Sequence, residues 1–474
     1  MDPRFALDRL RERAGDELVE RIEHLDRSRA HRPVDAPLPP PERTTPVDVD
    51  VVLAGGGLSL LVAAELARLG LSVTVLERAR AGAAHREWNA SDEELVTLVD
   101  AGIVSAEELE TLIVGRYRDG LCAFHGGAPR HVRGVLDRAV DAGPLLERVR
   151  AVAEQRGVRF VDGASVDAHG TGPQSIRVGW QEKGGGRGEL VARALVDARG
   201  SASPYAMADL VCPTVGGVIS GLREGSGPRE VDHEVGDILV TTEHADEDLG
   251  RQHVWEGFPG RPGQVTVYLF YYARAGGLPE GALARLYGRF FDTLPSYKEG
   301  DATLVRPTFG YIPGWSRLAP APRAPSPRIV LVGDAAARHS PLTFCGFGSM
   351  LRSFGPAAAA IAGALADGRA PAPSVVPEDD IHAWTGALAA VMASGELSGA
   401  KLNGLLDAAF GALEEMGNDD FADLLKDRMS GRRFTDFLKQ TGARHPVVYR
   451  EVMRALGPMA AARWGVRLAR EVFA

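Results

Sequence analysis

Two glycine-containing segments of this sequence are suited to bind a phosphate-bearing ligand. The first follows the apolar run "VDVVLA" and precedes "LLVAAELARLG", a run of apolar and small residues. Backbone N–H groups at the start of a helix attract phosphate, and glycine lets the chain approach it closely. A glutamate about 20 residues further on can accept hydrogen bonds from a ribose diol. We therefore predict that a dinucleotide is bound by Gly55, Gly56, Gly57, Glu77 and Arg78.

The match to the dinucleotide fingerprint is incomplete, because Leu60 occupies the position of its third glycine. A simple tight turn in an α/β core is the alternative interpretation. The glycine turn alone also does not distinguish NAD from FAD.

The second segment, "GDAAARHSPLTFCGFG", favours FAD. In one large class of FAD enzymes a late strand ends in Gly-Asp, and the aspartate bonds a ribitol hydroxyl of the flavin. Closely spaced glycines would let the backbone approach the flavin ring, and the positive end of the following helix would favour a reduced, anionic flavin. A strand, turn and helix with an N-capping aspartate is the alternative. The predicted contacts are Gly333, Asp334, Pro341, Gly346, Phe347 and Gly348.

The surrounding elements fit this interpretation. "VDVVLA", "LLVAAELARLG" and "SVTVLE" predict a strand, a helix and a parallel strand. "IVLVGDAA" predicts a late strand, while "DILVTTEH" and "GQVTVYLFYYA" are β-rich and aromatic. The fold class is therefore α/β: a discontinuous Rossmann-like FAD-binding domain, an antiparallel β-sheet substrate domain and a C-terminal helical region. The predicted boundaries are 1–46 (N-terminal helix and Pro-rich linker), 47–210 (FAD-binding domain, first part), 211–324 (substrate domain), 325–372 (FAD-binding domain, second part) and 373–474 (C-terminal helices).

Three local predictions accompany this division. "SDEELVTLVDAG" and "SAEELETLIVGRY" are predicted as two helices, each with a serine N-cap and acidic residues in its first turn. The segment "HRPVDAPLPPPERTTP" is predicted to be an extended linker without a packing face. Arg306 is predicted to face the pyrophosphate or pyrimidine edge of FAD, with a surface ion pair as the alternative.

Composition limits the partners of the protein. The 474-residue chain carries a net charge of −9, so its surface as a whole is not built to hold nucleic acid. It contains no apolar run long enough to span a bilayer. Cys122, Cys212 and Cys345 are widely spaced and match neither a metal site nor a disulfide framework, so a reducing, cytoplasmic location is expected.

Several stretches resemble a known family. These are "REWNASDEELVTLVDAGIVSAEELE", "LVDARGSASP", "WEGFP" with "TVYLFYY", and "SPLTFCGFGSMLR". Together they resemble the CruA/CruP-type lycopene cyclases and their flavoprotein paralogues, from about residue 48 to about residue 442. The resemblance implies a hydroxylase-like FAD fold, a carotenoid-like hydrophobic substrate and peripheral membrane contact. It also implies an isomerase that uses FAD, reduced by NAD(P)H or an electron carrier, without net redox change.

Glu256 is the predicted catalytic acid for such a reaction. Cyclisation of a polyene needs a proton delivered to a terminal alkene, a sheltered cation and a base. A carboxylic acid can deliver the proton only if it is held protonated, and burial against aromatic groups raises its pKa. Glu256 follows Trp255 and precedes Phe258, and it resembles the acidic motif of lycopene cyclases. A water-exposed glutamate at a strand edge is the alternative.

Aromatic residues around this acid are predicted to contact the substrate. "VTVYLFYY" alternates so that Tyr268, Phe270 and Tyr272 share one strand face. Together with Trp255, these rings are suited to line a polyene tunnel and to stabilise a carbocation. Aromatic packing within a sheet is the alternative interpretation. The residues Glu87, Trp88 and Asn89 are assigned by resemblance only to a flavin-facing or substrate-entrance loop.

Two rival functions remain open at the level of sequence. The first is an FAD-dependent monooxygenase or oxidoreductase acting on another hydrophobic substrate and consuming NAD(P)H. The second is a non-catalytic flavin-binding paralogue with a protective or regulatory role. The sequence does not specify an oligomeric state.

Overall fold

The structure is a computed structural model of the chain. It describes residues 7–8, 10–12, 15–30, 34–84, 87–206, 208–247, 250–316, 318, 326–337, 342–343, 346–371 and 382–473. The predicted cofactor contact Pro341 and the neighbouring His339 and Cys345 lie outside the described residues.

The described residues form helices in three groups: one before the first sheet, six between or beside the strands, and six at the C-terminal end. In chain order the helices are α1 (Asp16–Ala30), α2 (Leu60–Arg68), α3 (Asp92–Asp100), α4 (Ala106–Leu112), α5 (Ala142–Gln155), α6 (Ala282–Tyr297), α7 (Gly346–Ala366), α8 (His382–Met392), α9 (Ala400–Met416), α10 (Asn418–Leu425), α11 (Gly431–Arg444), α12 (Val448–Leu456) and α13 (Pro458–Phe473).

The strands of the described residues form three sheets. In chain order they are β1 (Ala36–Pro37), β2 (Val49–Ala54), β3 (Val73–Glu77), β4 (Glu87–Ala90), β5 (Ile113–Arg116), β6 (Asp119–Ala123), β7 (Arg130–Val132), β8 (Arg138–Asp141), β9 (Arg159–Asp162), β10 (Ala164–Thr171), β11 (Ile176–Glu182), β12 (Arg187–Asp197), β13 (Leu210–Leu222), β14 (Val235–Val240), β15 (Val254–Pro259), β16 (Gln264–Phe270), β17 (Ala273–Arg274), β18 (Gly300–Gly314) and β19 (Ile329–Leu331).

The first sheet carries the predicted nucleotide-binding elements. Its strand order is β1-β10-β11-β12-β2-β3-β9, and the late strand β19 pairs with β12. The pairs of β19, β12, β2, β3 and β9 are parallel, whereas β10, β11 and β12 form an antiparallel meander. The return of β19 to this sheet confirms the discontinuous Rossmann-like arrangement. Strand β2 is almost continuously apolar and buried, as expected for a parallel strand with both faces covered.

The second sheet is mainly antiparallel, as predicted, and it also takes in β6 and β7 from outside the predicted range 211–324; its role in binding substrate stays a prediction. Its order is β17-β13-β16-β15-β14-β6-β7, with β18 beside β13. Side chains alternate between two cores: Val211 and Leu269 pack on the side of α6, whereas Cys212 and Phe270 pack on the side of the C-terminal helices. The sheet therefore has one face inside each core.

A small third sheet, β4-β8-β5, differs in part from the prediction. The segment Glu87–Ala90 is a strand paired with β8, not a loop. The second predicted helix ends at Leu112, because Ile113–Arg116 pairs with β8. Both serine caps are confirmed: Ser91 and Ser105 each accept a hydrogen bond from the backbone N–H three residues later, in a capping box.

The N-terminal region packs onto both sheets. Helix α1 buries Leu18, Val19 and Ile22 in the core shared with α6. The linker predicted to lack a packing face instead contributes β1, which pairs with β10. Asp35, immediately before β1, is buried. This prediction is wrong because a buried ion pair, described below, ties the segment to the first sheet.

The C-terminal helical region is confirmed. Helices α8 to α13 contribute apolar residues such as Phe410, Phe421 and Phe434 to the core that covers one face of the second sheet. Across the part of the chain that the structure describes, no helix combines the length and apolar character needed to cross a bilayer.

Candidate functional site

The turn between β2 and α2 contains three glycines, of which two are packed against protein atoms and one borders open space. Gly55 has φ +110°, and a Cβ there would lie 2.4 Å from the carbonyl oxygen of Ala198. A Cβ on Gly56 would lie 2.6 Å from the Cβ of Ala81. A Cβ on Gly57 would have no atom within 4 Å. The first two glycines are therefore required by packing of the protein itself, whereas Gly57 borders open space at the start of α2.

Glu77, at the end of β3, holds this turn in place. Its Oε2 accepts a hydrogen bond from the N–H of Gly56 at 2.6 Å, and its Oε1 accepts one from Ala79 at 2.9 Å. A cavity of about 260 Å³ adjoins the turn. The ribose contact of Glu77 stays a prediction. The lining includes Gly55, Gly56, Gly57, Leu76, Glu77, Arg78, Val166, Ala198 and Arg199.

A larger cavity of about 980 Å³ adjoins the smaller one. The two share Arg78, Arg199 and Ala202 in their walls. The larger cavity is also lined by Trp88 of β4 and Thr308 of β18, and by one side of α1. An elongated ligand bound at the glycine turn can therefore extend from the first sheet to the second.

The two glycine segments meet at one edge of the first sheet. In the strand register, Asp197 at the end of β12 lies opposite both Ala54 of β2 and Leu331 of β19. Three neighbouring parallel strands therefore end at the same level. In open α/β sheets, ligands bind at the carboxyl ends of strands. The turn after β2 and the turn after β19 are thus brought together, although almost 280 residues separate them in the sequence.

Asp334 lies at this edge. The chain turns at Gly333, which has φ +61°, into a short 3₁₀ helix that contains Asp334. A Cβ on Gly200, in the loop after β12, would lie 3.7 Å from the Cβ of Asp334. A Cβ on Gly346 would lie 3.7 Å from its Oδ1. The carboxylate therefore lies between the end of β12 and the start of α7.

The first turn of α7 contacts the third sheet and the cap of α3. The ring of Phe347 lies 5.3 Å from that of Trp88, measured between centroids. A Cβ on Gly348 would lie 2.6 Å from Oε1 of Glu94, which belongs to the α3 capping box and pairs with Arg352. Gly348 is therefore required for the contact between α3 and α7. Its approach to a flavin stays a prediction.

Arg199 is a residue of the site that the sequence reasoning missed. Its guanidinium donates two hydrogen bonds to Asp35, both of 2.9 Å, and one of 2.7 Å to Asp197. Burial alone lowers the pKa of Arg199, but the two carboxylates outweigh it and raise this pKa above its usual value. Its fixed positive charge forms part of the wall between the two cavities. The spacing of Asp197 and Arg199 after a strand was a detectable signal, whereas Asp35 lies far away in the sequence.

Glu256 is placed in the interior beside β16. It lies on β15 opposite Tyr268, and its side chain is half-buried. Burial raises its pKa to about 8, and no cation among the described residues offsets this effect. The carboxyl is therefore mostly protonated at pH 7. When ionised, Glu256 would help to raise the pKa of the buried thiols of Cys122 and Cys212 and of the phenol of Tyr272.

One row of residues across the second sheet connects Glu256 to the larger cavity. Glu256 pairs with Tyr268, Tyr268 with Gly216, and Gly216 with Thr308. Directly paired residues share one face of a sheet. Thr308 lines the larger cavity, and three strand spacings separate it from Glu256, or about 14 Å.

The next row is buried at its β15 and β16 end and open at its β18 end. It comprises Val254, Phe270, Thr214 and Gly310. A Cβ on Gly310 would have no atom within 4 Å, and Thr214 is half-buried. The face that carries Glu256 is therefore not packed tightly along its whole length.

The predicted substrate residues divide between the two faces of the sheet. Phe270 and Tyr272 lie on the face of Glu256, with ring centroids 5.8 Å apart. The hydroxyl of Tyr272 donates a hydrogen bond to the carbonyl of Leu342, in the segment between Asp334 and α7. Trp255 lies on the opposite face, 1% exposed and stacked on Tyr297 at 4.7 Å. Trp255 is therefore not brought together with the others.

Glu87 attaches the third sheet to the second. Thr266 donates a hydrogen bond of 2.9 Å to its Oε2, and Arg306 donates one of 3.2 Å to its Oε1. Glu87 is buried, whereas the side chain of Arg306 is partly exposed, so the ion pair reaches from the interior to the surface, and a contact of Arg306 with FAD stays a prediction. This contact sets Trp88 against α7. Sequence reasoning found these residues only by resemblance, because the partners of Glu87 lie about 180 to 220 residues away.

Comparisons with known proteins identify the fold. No family model matches the chain, and no curated protein matches it. Solved structures do match. One is a geranylgeranyl bacteriochlorophyll reductase-like protein from Thermoplasma acidophilum, with TM-score 0.60, 14% identity, and coverage of 87% of this chain and 99% of that chain.

Two further solved structures give the same result. A flavoprotein/dehydrogenase from Cytophaga hutchinsonii has TM-score 0.56 and 15% identity, covering 85% of this chain and 99% of that chain. Halogenase PltM, solved in complex with phloroglucinol and FAD, has TM-score 0.58 and 12% identity, covering 89% of this chain and 96% of that chain. These similarities confirm the fold class over most of the chain.

Proposed function

We propose that the chain is an FAD-dependent enzyme whose cofactor lies along the carboxyl edge of the first sheet. The residues there fit an FAD molecule. Gly57 borders open space at a helix start, where a pyrophosphate needs to approach the backbone. Glu77 and Arg78 line the cavity beside the glycine turn and would face the adenosine, and Asp334, between the end of β12 and the start of α7, would accept a hydrogen bond from a ribitol hydroxyl. Halogenase PltM, one of the similar proteins, has been solved with FAD bound, which supports this assignment.

The flavin end of the cofactor would lie toward the larger cavity. Trp88 and Thr308 line that cavity, and Phe347 packs against Trp88. When bound in reduced form, FAD would supply negative charge and reducing electrons at the larger cavity. The protein's own residues would bind it, exclude water from it and hold the groups that move protons.

We further propose a lycopene cyclase-like reaction on the face of the second sheet that carries Glu256. The observation that carries this proposal is an interior carboxyl whose pKa is raised to about 8 by burial. Such a group is a proton donor at neutral pH. Protonation of a terminal alkene by Glu256 would give a tertiary cation, and a second double bond of the polyene would attack this cation to form the carbon–carbon bond that closes the ring. The new cation would then lose a proton to the Glu256 carboxylate or another base, so that no net oxidation or reduction occurs. Tyr268, Phe270 and Tyr272 would shelter that cation.

The experiment is an anaerobic incubation of the purified protein with lycopene in liposomes, with FAD and with or without NAD(P)H or dithionite. The proposal predicts a product of unchanged mass and blue-shifted absorption that forms only with reduced FAD. Glu256→Gln should abolish it while FAD binding persists. Glu280→Gln, an exposed glutamate outside the site, is the matched control. Unchanged lycopene with a fully FAD-loaded protein would contradict the cyclase assignment.

A redox reaction is the second candidate, favoured by the likeness to a reductase-like protein. Reduction of a carbon–carbon double bond needs a hydride from reduced flavin and a proton, which Glu256 could supply. The flavin leaves this reaction oxidised, so NAD(P)H or another donor is consumed with each turnover. The same incubation separates the candidates, because the reduced product is two mass units heavier than lycopene.

A further inference from the structure

The larger cavity has a wall that belongs to neither predicted domain. Helix α1 contributes Arg21, His24 and Arg29 to its lining, together with one acidic residue, Glu20, and the first sheet's loops contribute Arg78 and Arg199. The helix is firmly attached through its apolar face to the core beside α6. It also accepts a hydrogen bond from Tyr311 of β18 through its Asp26 side chain. The basic side of α1 is therefore a fixed part of the cavity.

The arginines that line this cavity differ in how many carboxylates they pair with. Arg199 is fully engaged by two carboxylates. Among the residues that the structure describes, neither Arg29 nor Arg78 has a carboxylate within ion-pair distance. Arg21 has a long ion pair of 4.0 Å with the exposed Glu17. Arg29 and Arg21 stand over the rings of Tyr311 and Phe309, at 5.2 and 5.4 Å.

Arg29 also has an unmatched donor. Its Nε is buried and has no hydrogen-bond partner among the described residues. Unpaired guanidinium groups in a partly enclosed space are costly unless an anion enters, and they bind phosphate through charge-assisted hydrogen bonds. Phe309 and Tyr311 add aromatic surface to the same wall. The wall thus matches a ligand that carries both phosphates and planar rings.

We infer that this α1 wall binds a nicotinamide dinucleotide as hydride donor. The inference rests on the proposed function, because it requires FAD in the adjoining site. The shared lining residues Arg78 and Arg199 would place the two ligands side by side. A hydride moves from the dihydronicotinamide ring to oxidised flavin, so two electrons pass to the flavin and the donor leaves as NAD(P)⁺. Arg21 and Arg29 bind the donor's phosphates.

The test is anaerobic stopped-flow reduction of the FAD-loaded protein at increasing NADPH, repeated with NADH. Arg21→Gln and Arg29→Gln should each raise the coenzyme concentration for half-maximal flavin reduction by about tenfold, because each loses a charge-assisted phosphate contact. The limiting rate, the affinity for FAD and reduction by dithionite should stay unchanged. Arg27→Gln is the matched control, since Arg27 lies on α1, pairs with Glu23 and does not line the cavity.

Three results would overturn the inference. One is an unchanged half-saturation in both variants. Another is a loss of FAD affinity in the variants, which would assign these arginines to FAD itself. The third is a protein that binds FAD and is reduced by dithionite but by neither coenzyme. Failure of the wild-type protein to bind FAD at all would instead contradict the proposed function, so the two failures are distinguishable.

Discussion

Replacing Glu256 with glutamine should stabilise the protein at neutral pH. In the folded protein the pKa of this carboxyl is about 8, whereas its usual value is 4.5. Folding at pH 7 therefore takes up a proton, which costs free energy that a glutamine does not incur. Glu256 therefore does not lower the free energy of unfolding below about pH 4.5, where it is protonated in both the folded and the unfolded protein. As the pH rises from 4.5 to about 8, Glu256 lowers the free energy of unfolding progressively.

The size of the effect follows from the shift. One pKa unit corresponds to about 1.4 kcal/mol, so the interval from 4.5 to pH 7 gives about 3 kcal/mol. Because the side chain is half-buried, solvent reduces this value, and we expect Glu256→Gln to raise the free energy of unfolding by about 2 kcal/mol at pH 7. The difference should be smallest near pH 5, grow with pH and level off above pH 8.

The assay is urea denaturation of the wild-type protein, Glu256→Gln and the exposed-site control Glu280→Gln between pH 5 and pH 9. Any fixed packing effect of the amide is the same at every pH, so the pH dependence of the difference is the diagnostic quantity. A difference that is constant over this range would refute the reasoning. So would an equal pH dependence in the Glu280→Gln control.

Further predictions follow from the same contacts. Gly55→Ala should lower the free energy of unfolding by at least about 2 kcal/mol in urea without FAD, because φ is +110° and the Ala198 carbonyl is 2.4 Å away; an unchanged stability would contradict the turn geometry. Ser91→Ala should cost about 1 kcal/mol in the same assay by removing the α3 cap. Combining Glu87→Gln with Arg306→Gln in a double-mutant cycle should give a coupling near 1 kcal/mol, since Arg306 is partly exposed; additive effects would argue against the pair.

The sequence predicts the elements around the nucleotide site well because their signals are local. The apolar run "VDVVLA" coincides with β2, and Gly70 follows the end of α2. Ser91 and Ser105 mark their helix starts through hydrogen bonds three residues apart. Each of these signals depends on neighbouring residues only, so no knowledge of tertiary contacts is needed.

The remaining features depend on contacts between distant parts of the chain. The pair Asp35–Arg199 turns a proline-rich segment into part of the first sheet, and Glu87 reaches across to Thr266. Neither partner can be recognised from local pattern. Trp255 is a different case: side chains alternate along a strand, so its position next to Glu256 already places it on the other face.

Gly57 offers the most direct test of the central claim that FAD lies along the carboxyl edge of the first sheet. A Cβ at this position meets no atom of the described residues within 4 Å, and the position borders the cavity assigned to the pyrophosphate. The measurement is a titration of FAD into the wild-type protein and Gly57→Leu, with urea denaturation of both proteins without FAD. If FAD lies along this edge, Gly57→Leu should keep the wild-type free energy of unfolding and should lose FAD binding. Unaltered FAD affinity in a normally folded Gly57→Leu protein would contradict it.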